Sequence, residues 1–97
     1  MKPRKTAVSG DRVFVPEGIS AREFDGEWVV LDLLGGNYFG LDEMGGLIWQ
    51  QLRAGKSVKE ISDLLAENYD APEATILEDV LRLVNELLER GLVQIRE

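Results

Sequence analysis

The sequence predicts an α+β domain, a three-stranded antiparallel sheet followed by a three-helix bundle, and three observations carry that expectation. Residues 12–41 are short runs of β-branched and aromatic residues punctuated by Gly and Pro turn signals. Residues 42–90 place apolar side chains at the spacing of helix faces. Each of the three helical patterns opens on a residue suited to capping and the first and last meet a glycine where they stop.

In chain order, Arg12 to Val15 reads as a first strand closed by the turn Pro16-Glu17-Gly18. Ile19 to Phe24 leads into the turn dipeptide Asp25-Gly26. Glu27 to Leu33 is the strongest strand signal, with Val29, Leu31 and Leu33 on one face and Trp28, Val30 and Asp32 on the other. Gly35-Gly36-Asn37 tolerates positive φ, so Tyr38 to Leu41 should return as the second arm of an antiparallel hairpin.

Asp42 can cap a helix from Glu43 to about Arg53, with Leu47, Ile48, Gln51 and Leu52 at helical spacing and Gly55 as its stop. Gly45 and Gly46 weaken this helix but permit close backbone packing. Ser57-Val58-Lys59-Glu60 matches a capping box, and Ile61, Leu64, Leu65 and Tyr69 form the apolar stripe of a second helix ending near Asn68. Asp70-Ala71-Pro72-Glu73 offers a capping carboxylate for a third helix reaching Arg90 before Gly91, and Leu92 to Ile95 can add a short terminal strand. A small sheet on a helical trio is a winged-helix-like arrangement.

Composition narrows the function. The 97 residues contain no Cys and no His, which removes thiolate chemistry, disulfides, the usual zinc sites and the commonest acid/base group. Paired carboxylates remain, but their chemistry needs a cleft that so small a core can hardly enclose, so neither catalysis nor a cofactor is expected. No apolar run approaches the ~20 residues that span a bilayer. Met1 to Gly10 carries Lys2, Arg4 and Lys5 without the apolar stretch of a secretory signal, and reads as a flexible basic tail on a cytoplasmic domain of residues 11–97. The net charge of −7 includes those three cations, which leaves −10 on residues 11–97. Such a body repels phosphate backbones.

The third helix carries Ile76, Leu77, Val80, Leu81, Leu83, Val84, Leu87 and Leu88 in an apolar arc of about 160°. Two readings fit: a central helix buried by several neighbours, or a helix with one edge in the core and the other lining a groove beside the sheet. Its polar face holds Glu73, Glu78, Asp79, Glu86 and Glu89 against Arg82 and Arg90, a poor match for a duplex groove.

The stretch Val30-Leu31-Asp32-Leu33, then Gly36-Asn37-Tyr38-Phe39-Gly40-Leu41-Asp42-Glu43-Met44-Gly45-Gly46-Leu47-Ile48-Trp49, resembles the PqqD family of peptide chaperones, or RiPP precursor recognition elements. Gly55-Lys56-Ser57-Val58-Lys59-Glu60-Ile61, Asp79-Val80 and Gly91-Leu92-Val93 follow at similar spacing, so the resemblance spans Arg12 to Val93. Within the family the chain is similar to free-standing members serving lasso-peptide or other ribosomal-peptide pathways. The resemblance implies a winged-helix-like fold in which the leader of a precursor peptide adds as a strand to the third strand, against the third helix, for a peptide-modifying enzyme or leader peptidase to act on. Carried over, the edge is Asn37, Tyr38, Phe39, Gly40 and Leu41, and the helix wall is Ile76, Asp79, Val80, Leu83 and Leu87.

Each of these residues also has a structural reading. Tyr38 can cover the sheet, Phe39, Leu41 and Trp49 can be core, Asp42 a cap, Asp32 a hairpin ligand, and Asp79 and Arg82 a solvated face. The rival functions are a winged-helix module for DNA binding or protein docking in regulation, and a subunit that stabilises a larger enzyme.

Overall fold

The computed structural model describes residues 6–97. The elements run β1 (Val13–Phe14), β2 (Ile19–Phe24), β3 (Glu27–Asp32), β4 (Asn37–Leu41), α1 (Glu43–Arg53), α2 (Val58–Asn68), α3 (Glu73–Glu89) and β5 (Gln94–Ile95). The three-stranded antiparallel sheet has the order β2-β3-β4 and is followed by the three helices, as expected.

Its first member is β2, however, and not the run from Arg12 to Val15. That run forms only the two residues of β1, which pair with β5 through Val13↔Ile95 and Phe14↔Gln94. The reason lies in the turn. Asp25 and Gly26 have φ of 53° and 86°, the two consecutive positive values of a tight hairpin, and this locks Phe24 opposite Glu27 and the whole of Ile19–Phe24 onto β3. Pro16, which lacks an N–H, separates β1 from that ladder.

The face of β3 that meets the core is the one carrying Trp28 and Val30, of which Val30 is fully buried. Leu33 falls beyond the strand and is exposed with Leu34 in the loop that leads to β4. Asp32 closes that loop by accepting from the Gly35 N–H at 2.8 Å, which settles its role as a hairpin ligand.

Asp42 caps α1, its Oδ1 accepting from Gly45 N at 2.8 Å. Gly46 lies flat under the Trp28 indole, so that a Cβ there would overlap the ring. This contact draws α1 onto the sheet. The buried face of α1 is Ile48, Trp49 and Leu52, while Leu47 lies on the exposed side. The capping box of α2 is complete: Ser57 Oγ accepts from Glu60 N at 3.1 Å and Glu60 Oε1 accepts from Ser57 N at 2.8 Å. Glu60 also takes a hydrogen bond from Arg12 at 2.7 Å, tying the helix start to β1. In α2, Ile61 and Leu65 are core whereas Leu64 is exposed.

The start of α3 differs from expectation. Pro72 is the N-cap residue and no side chain caps it, so Asp70 does not serve as the capping carboxylate. The helix ends on Arg90, and Gly91 at φ 74° turns the chain into Leu92 and Val93, both buried. Of the expected tail, residues 1–5 lie outside the described residues. Residues 6–10 are docked: Ala7 is buried and its N–H donates to Asn85 Oδ1 of α3 at 2.7 Å, while Ser9 O accepts from Lys59 N at 2.8 Å at the start of α2.

Candidate peptide-binding groove

The sheet order leaves β4 with one unpaired side. Which of its main-chain groups face outward follows from the ladder. The two-residue turn makes Phe24↔Glu27 a hydrogen-bonded pair, so Glu27, Val29 and Leu31 direct their N–H and C=O to β2 and the residues between them face β4. Leu33 N donating to Gly18 O at 2.8 Å continues the same alternation. On the other side Trp28↔Leu41, Val30↔Phe39 and Asp32↔Asn37 are therefore the bonded pairs. Tyr38 and Gly40 are left with N–H and C=O pointing away from the sheet. A Cβ on Gly40 would meet nothing within 4 Å, so the face of the sheet is open there.

Alongside this edge lies a groove of about 370 Å³. Phe39, Gly40, Leu41 and the cap residue Asp42 form one wall; Met44, Gly45 and Ile48 of α1 form the floor; Asp79, Arg82, Leu83 and Glu86 of α3 form the other wall. The α3 residues are one ridge, at i, i+3, i+4 and i+7. Three carboxylates share two cations along it: Arg82 pairs with Asp79 at 3.0 Å and with Glu78 at 3.7 Å, and Glu86 with Arg90 at 3.6 Å. Arg90 also stacks over the Phe39 ring, its guanidinium carbon 4.8 Å from the centroid, and so fixes one end of the groove.

Five of the ten residues expected at a peptide site meet in this groove: Phe39, Gly40, Leu41, Asp79 and Leu83. Asn37 and Tyr38 lie further along the same strand and border a neighbouring cleft with Arg90 and Leu92. Tyr38 is 75% exposed, on the outer face of the sheet. Of the other expected wall residues, Val80 and Leu87 are at 0% exposure and Ile76 at 4%, and Ile76 and Val80 border a further cleft with Asp79, Met44 and Tyr69. At 100° per residue Val80 and Leu87 lie about 40° to 60° further round the helix than Leu83, which turns them inward. Of the apolar arc, Leu83 lines this groove.

Met44, Gly45, Ile48 and Glu86 were absent from the expected set. The ridge from Asp79 through Leu83 to Glu86 is legible in the sequence as a seven-residue row; the α1 floor is not, because it depends on how closely Gly46 lets that helix approach. Among the described residues no group of three or more potential metal-ligating side chains gathers, and no helix is long and apolar enough to cross a membrane.

Two solved structures are similar to this chain. One is described as TbiB1 in complex with the TbiA(beta) leader peptide; it is 32% identical, with a TM-score of 0.76 over 81% of this chain and 92% of that one. The other, lasso peptide synthetase B1 complexed with the leader peptide, is 28% identical, with a TM-score of 0.79 over 84% and 96%. No curated protein matches the chain in sequence. Residues 27–93 match the family model described as coenzyme PQQ synthesis protein D, a span that runs from β3 through the groove and the whole of α3, and the chain belongs to the PqqD family.

Proposed function

We propose that this chain binds the leader segment of a ribosomally made precursor peptide as an added strand on the free edge of β4, and presents the peptide to a maturation enzyme in the cytoplasm. The chain itself performs no chemistry in this reading. The observation that carries it is the placing of outward main-chain groups at Tyr38 and Gly40 beside a groove whose floor is Met44 and Ile48 and whose far wall sets Leu83 among charged side chains. An unpaired edge supplies position through backbone hydrogen bonds, and the adjoining groove sorts side chains. The two similar structures, each described as a leader-peptide complex, support the same occupant. The acidic ridge of α3 counts against a nucleic-acid duplex there.

The test is a titration of isotope-labelled protein with the leader peptide encoded beside it. Amide shifts should concentrate on β4 and the Asp79-to-Glu86 ridge, with new exchange protection at Tyr38 and Gly40 and little change at Phe39 and Leu41, which are already bonded. Leu83→Asp, which buries a charge against the peptide, should weaken binding by about 1 to 3 kcal/mol with the fold intact by circular dichroism. Tight binding with those amides unmoved and the changes on α1 and α2 refutes strand addition.

A further inference from the structure

The groove beside β4 does not end at Asp79. Past that residue and Met44, which line both spaces, a cleft of about 180 Å³ opens where the start of α1, the end of α2 and the first turns of α3 meet. Leu65, Ile76 and Val80 form its base and are buried; Met44 and Tyr69, half-buried, and Ala71, exposed, form its sides. Asp70, which does not cap α3, borders it together with Asp79. No strand residue lines this cleft, so an occupant gains no ladder bonds there and is held by side-chain contact.

An apolar hollow between three helices is the complement of an apolar side chain, and its continuity with the groove identifies where that side chain comes from. Ile76 lies about two turns, or about 10 Å, along α3 from Leu83. An extended peptide running along the α3 wall covers that distance in about three residues. We propose that the cleft takes one bulky apolar side chain of the leader, aliphatic or aromatic, past the Leu41 end of β4 and about three residues beyond the leader residue that faces Leu83. The proposal rests on the leader occupying the β4 edge. Met44 separates the two spaces and, being unbranched, can swing aside as the chain passes. Asp70 and Asp79 add to the selection, since an acidic side chain would meet like charge at the margin and an apolar base beneath it.

The experiment labels the backbone amides and the methyl groups of Met44, Leu65, Ile76 and Val80, and adds the leader encoded beside this chain, then the same leader carrying single alanine substitutions. The intact leader should move those methyl resonances together with the Tyr38 and Gly40 amides. One substitution should return the Leu65 and Ile76 methyls to their free positions, leave the β4 amides shifted and weaken binding about tenfold. Ala71→Phe, a larger side chain on the exposed side of the cleft, should weaken the intact leader by a similar factor and leave the affinity of that alanine variant unchanged, with thermal unfolding as the check on its fold. A leader that moves the β4 amides with the Leu65 and Ile76 methyls in place, or methyls that no single substitution restores, overturns the cleft as a subsite and leaves the strand edge standing. Methyl shifts with Tyr38 and Gly40 unmoved support the cleft and refute the strand edge, so the two failures are distinguishable; a leader that moves neither set overturns both.

Discussion

Replacing Gly40 by proline separates the free side of β4 from its bonded side. The alternation of the ladder directs the Gly40 N–H away from β3, so the substitution deletes no bond within the sheet. A side chain has open space at this position, and Phe39 before it is already extended, the conformation that a following proline demands. The fold should therefore persist, as edge strands tolerate proline where the N–H faces outward. Leader binding loses one main-chain hydrogen bond and leaves a peptide carbonyl facing a ring in place of a donor. Together these cost about 1 to 3 kcal/mol, roughly a five- to 150-fold rise in Kd. Gly40→Ala keeps the N–H and serves as the control, with nearly native affinity. Phe39→Pro removes a bond to β3 and should lower the unfolding temperature sharply. Fluorescence anisotropy with labelled leader reads the affinities and thermal unfolding reads the fold. A folded Gly40→Pro chain with native affinity, or one destabilised as much as Phe39→Pro, would show the assignment of the outward groups to be wrong.

Two further outcomes test the scaffold beneath the groove. Gly46→Ala gains up to about 1 kcal/mol of helix propensity but drives a Cβ into the Trp28 ring, an overlap with a rigid group, so chemical denaturation should show a net loss of about 1 to 3 kcal/mol; a stabilised variant would mean that α1 does not rest on that glycine. The Glu60 carboxyl is held below its ordinary 4.5, first by the Ser57 backbone N–H and then by Arg12. Its contribution to stability is thus present at neutral pH and is lost as pH falls from the ordinary glutamate value through the lowered one. Glu60→Gln should flatten that part of the pH profile of unfolding, and an unchanged acid limb would remove Glu60 as its source.

Most of the helical half was legible because its signals are local. Asp42, Ser57, Glu60 and Gly91 act within a turn of their own positions, and each does in the structure what its spacing implies. Most of the misreadings concern partners distant in sequence, the α3 cap, two residues from Asp70, being a local one. Nothing local tells Arg12-to-Val15 that its partner is the strand after α3, and nothing in Asp70 reveals that Pro72 takes the cap position. The arc on α3 was visible as a width but not as a division: that Leu83 faces the groove while Val80 and Leu87 turn inward depends on where α2 and the sheet lie around the helix. Ala7 belongs with these cases, since its burial depends on Asn85, 78 residues away.

Both edges of the sheet are unpaired among the described residues, yet they are unequal as templates for a peptide. β2 carries Arg22 and Glu23, the kind of charge that discourages edge pairing. β4, with the sequence Asn-Tyr-Phe-Gly-Leu, carries none. Gly40 adds to the difference, because a strand approaching it meets main-chain groups with no side chain beside them. α3 completes the asymmetry by placing Leu83 across from the β4 edge and pairing Asp79 and Glu86 beside it with Arg82 and Arg90. A peptide that adds to β4 gains backbone bonds and contact with Leu83 in one place, whereas the β2 side offers it a charged margin.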